Sequence, residues 1–308
     1  MMDVSLRTLL ACLLVLCASA VCQAVPNNNF ANAKTRDIVG GRKVLITVIQ
    51  GAIQPTIYPP GMSNVYVATY RGVRKTVIDK QALEQQYQLT MAALQDCVPI
   101  IEATYDYEFN APLQAALRPA VTSSAWLRAQ DVEFSEHGTT DFVLDKLDQS
   151  NTRQMLLLYT NYYTSPDFSA IVVDLQISLL VRKISKGTLR ASRVNPEYIP
   201  YRQTIRSRVV LANADLKDRK KNVERWAANH GRLARQAFDS GIAALATLAP
   251  LAIELNAEQA KDWRSRGKRK TQQIEGVFGW VRERDADGIL MIDARDGAWT
   301  RIRTVSPN

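Results

Sequence analysis

MLLLYTNYY (155–163) and AIVVDLQISLLVR (170–182) carry the strongest structural pattern in the sequence, and the turn signal Ser165-Pro166-Asp167 separates them. In the second stretch apolar residues alternate with polar ones, which is typical of a strand with one buried side and one solvent-facing side. The first stretch is apolar on both sides, which predicts a central strand. We therefore expect an antiparallel β-hairpin in the middle of a sheet.

A third strand and a long helix are expected after the hairpin. Residues 201–210 predict a strand with Arg202, Arg206 and Arg208 on one side. A helix then opens at Asp215. Its apolar positions recur at spacings of three and four, and they are Val223, Trp226, His230, Leu233, Ala237, Gly241, Leu245 and Leu248. One such helix laid across a sheet is the simplest arrangement that buries the apolar sides of both.

Residues 261–308 are expected to form a basic connector and a small β-meander. The connector contains RSRGKRK (264–270). Beyond it, Asp287-Gly288 and Asp296-Gly297 lie between apolar runs, and Asp-Gly in that context is the strongest short-range hairpin signal. A three-strand meander of this length is too small to be stable alone, so we expect it to pack on the main domain or on a partner.

The chain before the hairpin predicts strands over 43–50 and 65–70 and three helices. The first helix should run from Asp79 to Val98 and end at Pro99. Its expected inward side consists of Leu83, Tyr87, Met91, Leu94 and Val98. A second helix near Pro112 should pack Leu113, Leu117 and Val121, and a third over 140–147 should pack Phe142, Val143 and Leu147. The fold class is therefore α+β or mixed α/β, an antiparallel-containing sheet packed against helices.

The first 24 residues have the three zones of a secretory signal peptide. A short head with one arginine precedes an apolar run over 9–21, and ASA (18–20) and CQA (22–24) both fit the small-x-small cleavage pattern. The run is shorter than the ~20 residues that a membrane-spanning helix needs. We expect cleavage near Ala24 and a location in the periplasm or outside the cell.

The alternative is that residues 1–24 form a lipoprotein signal peptide, with a lipid attached to one of its cysteines. The residues before Cys17 and Cys22 are bulkier than a lipoprotein site accepts, and Cys12 lies too near the start of the chain. After the signal peptide (1–24) we expect a linker (25–42), a main domain (43–260) and the connector with its meander (261–308). No later stretch predicts a membrane span, because the most apolar one, 241–253, contains Pro250.

Composition restricts the classes of partner. The formal charge is +9 and the pI is near 9.4, and the leader takes away one Asp and one Arg, so the cleaved chain keeps that excess. An anionic partner is indicated. Aromatic residues are not interleaved with the basic runs, which disfavours nucleic acid. The cleaved chain keeps a single cysteine, Cys97, and cannot form an internal disulfide, so its stability has to come from a hydrophobic core.

No motif in the sequence predicts a catalytic, cofactor or metal site. His137 lies in SEHGTTD (135–141), which lacks the spacing of a metal site. His230 is expected to be partly buried and hydrogen-bonded on the apolar side of the long helix. Cys97 is expected to be an inert core thiol.

Three functional hypotheses follow. The first is an exported, non-catalytic binding or accessory component that contacts anionic envelope glycan, lipid head groups or an envelope protein. Its expected anion-contact surface consists of Arg202, Arg206, Arg208, Trp263, Arg264, Arg266, Lys268, Arg269 and Lys270. The alternative is a hydrolase of an envelope polymer that uses Glu133, Glu136 or Asp141, because glycan cleavage requires two carboxyl groups. The third is a docking protein whose long helix and meander form an oligomeric interface.

Overall fold

The computed structural model describes residues 36, 41–48, 50–56, 66–70, 73–77, 80–150, 154–181, 199–256, 258–259 and 271–306. The predicted signal peptide, nearly all of the predicted linker and the basic connector lie outside these residues. No structural statement is therefore made about them.

Four helices and twelve strands are described. The helices are α1 (Lys80–Ala103), α2 (Asn110–Thr122), α3 (Thr140–Asp148) and α4 (Arg219–Glu254). The first eight strands are β1 (Arg42–Val48), β2 (Gln54–Pro55), β3 (Tyr66–Tyr70), β4 (Val73–Val77), β5 (Ala129–Ser135), β6 (Gln154–Thr164), β7 (Ala170–Val181) and β8 (Tyr201–Leu211). The last four are β9 (Gln272–Ile274), β10 (Val277–Asp285), β11 (Gly288–Asp293) and β12 (Trp299–Val305). The α+β fold class is confirmed.

Ten strands form one mixed sheet in the order β5-β1-β6-β7-β8-β12-β11-β10-β9, with β2 attached to β6. The predicted hairpin is confirmed and lies in the middle of this sheet. Its strands β6 and β7 pair antiparallel from Gln154 opposite Val181 to Thr164 opposite Ile171. β7 and β8 then pair antiparallel. β1 is parallel to both β5 and β6. β3 and β4 pair with each other in a separate two-stranded sheet.

One side of the sheet is covered by α1, α2 and α4, and the main hydrophobic core lies between these helices and the sheet. Alternate residues of β7 (Ile171, Val173, Leu175, Ile177 and Leu179) enter this core, as the period-two pattern predicts. On the opposite side α3 packs Val143 and Leu147 against Leu45, Met155 and Leu180. The predicted second and third helices are therefore confirmed, including their buried residues.

The first helix is longer than predicted and is rotated. α1 continues through Pro99 to Ala103, and Ile100, in the turn that follows the proline, is fully buried. This burial offsets the hydrogen bond that proline cannot make. The predicted inward side is wrong at Tyr87 and Val98, which are 45% and 38% exposed.

α4 is interrupted by a left-handed turn, which the apolar spacing did not predict. Ala228 is extended, and Asn229, His230 and Gly231 follow with φ values of 53°, 55° and 69°. His230 is exposed rather than partly buried, so that prediction is wrong. Val223, Trp226, Leu233 and Ala237 are buried as predicted.

The predicted C-terminal meander is present and is continuous with the main sheet. β10, β11 and β12 pair antiparallel, and β12 pairs parallel with β8, with Trp299 opposite Ile205 and Val305 opposite Leu211. Packing on the main domain was expected, but the contact is edge-to-edge strand pairing. Residues 271–306 and 199–256 thus share one sheet.

Among the described residues, α4 is the helix whose length and composition would allow it to cross a membrane. In its most apolar window, 56% of the residues are buried inside the fold. Such burial is typical of the core helix of a folded domain.

Candidate functional site

The three arginines predicted on one side of the third strand do lie on one side of β8. Their partners across the β7–β8 ladder are Ser178 for Arg202, Asp174 for Arg206 and Val172 for Arg208. This is the sheet side away from α4, because Ile171, Val173 and Leu175 of β7 point into the core under α4. All three arginines are partly buried.

Arg206 is held by carboxylates from two parts of the chain. Its Nε and Nη2 donate to the two Asp174 oxygens at 2.8 and 3.1 Å, and both terminal nitrogens donate to Asp296 Oδ2 at 3.3 Å. Asp174 also accepts from the Tyr163 hydroxyl at 3.0 Å. The guanidinium is therefore engaged inside the protein, in the bidentate geometry that makes arginine–carboxylate pairs strong.

A second arginine completes this network. Arg295 Nε and Nη2 donate to Asp293 at 3.0 and 2.6 Å, and Arg206 Nη1 lies 3.7 Å from Asp293 Oδ2. Burial disfavours the charged form of the fully buried Asp293, but the hydrogen bonds and charge of Arg295, with the charge of Arg206, outweigh burial and lower its pKa. Asp293 is thus held as a carboxylate.

The network around Arg206 and Arg295 is suited to holding strands together rather than to proton transfer. Burial and the neighbouring Asp174 carboxylate raise the pKa of Tyr163, so this phenol is a poor base at neutral pH. Asp174 lies on β7, whereas Asp293 and Asp296 belong to the meander. Arg206 consequently joins the two halves of the sheet by side-chain contacts as well as by backbone pairing.

The carboxylates named for the hydrolase hypothesis do not share partners. Glu133 on β5 lies 2.8 Å from Lys43 Nζ and also pairs with Lys146. Burial opposes ionisation of Glu133, but the hydrogen bonds and charges of both lysines lower its pKa, which disfavours a role as general acid. Glu136 accepts from Asn110 Nδ2 at 2.9 Å. Asp141 is exposed in the first turn of α3.

The surroundings of Cys97 and His137 do not indicate a catalytic or metal-binding role. Cys97 is fully buried, and burial, with the nearby Asp96 charge, raises the pKa of its thiol to about 12. This agrees with the predicted inert core thiol. His137 is exposed, and its backbone carbonyl accepts from Thr47 at 3.1 Å. In the described part of the chain, no group of three or more His, Cys, Asp or Glu side chains is arranged to hold a metal ion.

An open depression of about 410 Å³ lies at the end of β8 and β12. Ser169, Asn213, Leu216, Glu275 and Thr304 contribute to its lining. Of the predicted anion-contact residues that the structure describes, Arg202, Arg206 and Arg208, none contributes to this lining.

The rest of the predicted anion-contact surface, Trp263, Arg264, Arg266, Lys268, Arg269 and Lys270, lies outside the described residues. The sequence around it nonetheless shows where the net charge resides. Residues 260–270 contain six cationic side chains and one acid, and residues 182–198 contain five and one. These two segments carry net charges of +5 and +4, which together equal the +9 of the whole chain.

The described residues that flank the two basic segments lie at the same end of the sheet. Residues 182–198 connect the end of β7 to the start of β8, and residues 260–270 follow α4. The Tyr201 hydroxyl at the start of β8 donates to the Ala252 carbonyl near the end of α4 at 3.1 Å. We call this region, marked by Tyr201 and Ala252, the basic end. The cations of 182–198, namely Arg182, Lys183, Lys186, Arg190 and Arg193, were missed by motif reasoning, although a running charge count would have found them.

Comparison of the chain with protein-family models, with curated proteins and with solved structures gives no match. The site is therefore interpreted from its own geometry and charge.

Proposed function

We propose that this chain is an exported, non-catalytic binding or accessory protein that contacts anionic envelope material through its basic end. The observation that carries the proposal is the distribution of charge. Outside residues 182–198 and 260–270 the cationic and anionic side chains are equal in number. A concentrated positive region on an otherwise balanced protein attracts anionic surfaces and polymers.

The described arginines refine this proposal. Arg206 is already neutralised by Asp174 and Asp296, so its expected role is to hold β8 and the meander in place. Contact with the anion is then assigned to residues 182–198 and 260–270, whose described flanks include Tyr201 and Ala252. Arg128, which is exposed beside the start of β1, adds a cation at that end.

The export part of the proposal rests on the leader sequence. A removed signal peptide places the mature chain next to envelope polymers and lipids, which are the anions nearest to an exported protein. The hydrolase alternative stays a prediction, and the two lysines on Glu133 argue for a structural role of that carboxylate.

Binding of the mature chain (residues 25–308) to a washed envelope fraction tests the proposal. We expect binding at low salt that weakens steeply as ionic strength rises, because the Debye length shortens from about 30 Å at 0.01 M to about 10 Å at 0.1 M. The variant Lys268→Gln/Lys270→Gln should bind several-fold more weakly.

A matched control removes the same charge elsewhere. Lys217 and Lys220 are exposed at the start of α4, far along the helix from Ala252. Lys217→Gln/Lys220→Gln should bind like the unmodified chain. Equal losses in the two double variants would mean that net charge alone matters, and the basic end would lose its assigned role. Salt-independent binding would contradict the proposal altogether.

A further inference from the structure

We infer that the depression at the end of β8 and β12 binds a primary alkylammonium group, supplied by a free amine or by a lysine side chain. The depression lies at the end of β8 opposite to the basic end, so this inference goes beyond the proposed function and does not depend on it. Its volume of about 410 Å³ is within the range of about 300–1,000 Å³ that small-molecule sites occupy.

The lining of the depression combines apolar side chains with one charged residue. Its apolar members are Val210, Leu211, Ala212, Ala214 and Leu216, and its charged member is Glu275. Leu216 is 75% exposed. An alkyl chain that covers Leu216 removes this apolar surface from water, and a positive charge at the end of that chain can pair with the Glu275 carboxylate.

Glu275 is not used by the rest of the described fold. It is exposed, and among the residues that the structure describes it has no ion-pair or side-chain hydrogen-bond partner. Glu275 and Gly276 form the β9–β10 turn with φ values of 47° and 77°. Such turns favour asparagine, aspartate or glycine at their first position. A glutamate held in this unfavourable conformation indicates a role for its side chain.

Two further connections with left-handed residues meet at the depression. The β6–β7 turn contributes Ser169, which follows Phe168 with φ 53°, and the β8–α4 connection contributes Asn213 with φ 55°. Phe168, Asn213 and Glu275 are three of the six non-glycine residues with positive φ in the described part of the chain. Strained backbone of this kind clusters at ligand sites.

Hydrogen bonds fix the walls of the depression. The fully buried Asn222 amide donates to the Asp167 carbonyl at 2.9 Å and to the Asp215 carbonyl at 2.8 Å, which joins the β6–β7 turn to the β8–α4 connection. The Leu211 amide donates to the Ser169 carbonyl at 2.9 Å. A site that is rigid before binding loses little conformational entropy when the ligand enters.

Two arginines lie close to these walls but do not belong to the lining. Arg225 donates to the carbonyls of Ala212 and Asn213, the latter at 2.9 Å. Arg208 packs against the β9–β10 turn, where its Nη2 would lie 3.3 Å from a Cβ added at Gly276. Because the lining itself contributes the charge of Glu275, we expect the depression to prefer a cation to an anion.

Titration calorimetry on the mature chain (residues 25–308) tests this preference with three probes of similar length, namely hexylammonium, 1-hexanol and hexanoate. We expect hexylammonium to bind most tightly and hexanoate most weakly. In nuclear magnetic resonance spectra, hexylammonium should shift the backbone amide signals of Asn213 and Gly276, which would place the probe in the depression.

Glu275→Gln removes the charge of the side chain and keeps its size. It should weaken hexylammonium binding several-fold and leave 1-hexanol binding unchanged, so that the two probes then bind alike. Leu216→Ser should weaken the binding of both. Glu258→Gln is the matched control, because Glu258 is exposed beyond the end of α4 whereas Leu216 precedes its start. Since all three side chains are exposed, circular dichroism should report an unchanged fold for every variant.

The Nα-acetyl-lysine amide distinguishes the two sources of the ammonium group. Binding as tight as that of hexylammonium assigns the depression to the lysine side chains of a partner, and exclusion of this probe assigns it to free amines. The inference is overturned if hexanoate binds as tightly as hexylammonium, if Glu275→Gln keeps the preference for the cation, or if no probe binds. Glu275→Gln should bind the envelope fraction like the unmodified chain, so failure of this inference leaves the proposed function standing.

Discussion

Arg206 was predicted to contact an anion at the surface, but in the structure it forms ion pairs with Asp174 and Asp296 inside the protein. Its side chain is only 16% exposed, and the Asp174 side chain is equally so. Removing one partner of such a buried pair leaves a charge without its counter-ion. The resulting decrease in the free energy of unfolding is a large fraction of a typical domain's stability.

Asp174→Asn should therefore destabilise the protein by about 2–4 kcal/mol, because Arg206 keeps Asp296 but loses its bidentate partner. Urea unfolding followed by circular dichroism measures the change. Asp131→Asn is the control: Asp131 pairs with Lys43, but its side chain is 63% exposed, so the cost should stay below about 0.5–1 kcal/mol. Similar losses for the two variants would show that the Arg206 network is not a stabilising connection.

The lowered pKa of Asp293 predicts that this carboxylate stabilises the folded protein at neutral pH and that the stabilisation is lost in acid. Its folded-state pKa lies below the ordinary value of 3.8, whereas the unfolded chain has a pKa of about 3.9. The contribution is present above about pH 4 and is lost as the pH falls through the folded-state pKa.

The urea midpoints of the unmodified chain and of Asp293→Asn should consequently differ clearly at pH 7 and approach each other as the pH falls below about 4. The comparison at each pH isolates Asp293 from the other carboxylates, which titrate in both proteins. A difference that stays constant over this range would contradict the assigned ion pair.

The sequence predicted which side of β8 the three arginines occupy but not which residues Arg206 contacts. Asp174 and Asp296 are separated from Arg206 by 32 and 90 positions. Period-two spacing assigns a side chain to a face of a strand, and it contains no information about which distant strand becomes the neighbour.

Among the elements, the left-handed turn inside α4 is the least regular feature. Left-handed residues usually occur singly, and each non-glycine example is costly. Here the turn is held by Arg235, which donates to the His230 and Ala103 carbonyls, both at 2.9 Å. The turn thus follows from how α4 packs against the end of α1.

Gly231→Ala should destabilise the protein by more than about 1 kcal/mol, because the backbone there has φ +69° and an added Cβ would lie 2.8 Å from the Ala103 carbonyl oxygen. Thermal unfolding is the measurement. Gly51→Ala serves as control, since a Cβ at Gly51 would meet nothing within 4 Å. If both substitutions were neutral, the described turn would be incorrect.

Sequence patterns predicted the elements better than their ends and partners. The β6–β7 hairpin, α2, α3 and the Asp-Gly meander were predicted because local periodicity and turn chemistry determine them. β5 was missed because AQDVEFS (129–135) is largely polar. The α4 turn was missed because apolar residues keep a helical spacing on both sides of it, and α1 passes Pro99 because tertiary burial outweighs a local preference.

For the whole molecule, the parallel pairing of β12 with β8 implies a single cooperative unit. The meander contributes buried Trp299, and α4 contributes buried Trp226. Tryptophan fluorescence and far-ultraviolet circular dichroism should therefore give coincident urea transitions, as two-state unfolding requires. Two separated transitions would show that the residues after 270 fold independently of the main domain.

The distribution of charge is also a property of the whole chain. Local motifs identified 264–270, but only the sum over the chain shows that two segments hold all of the excess. The sequence could therefore predict the charge of the candidate surface. That described residues flanking the two segments lie close together could not be predicted, because the Tyr201–Ala252 contact depends on how α4 crosses the sheet.

Intact-mass spectrometry of the natural protein, recovered separately from envelope extract and from cytosol, tests most directly the claim that the working molecule is exported. We predict a product in the envelope extract that begins at Val25, the residue after the second cleavage motif. A product that retains residues 1–24 and is recovered from the cytosol would contradict the account.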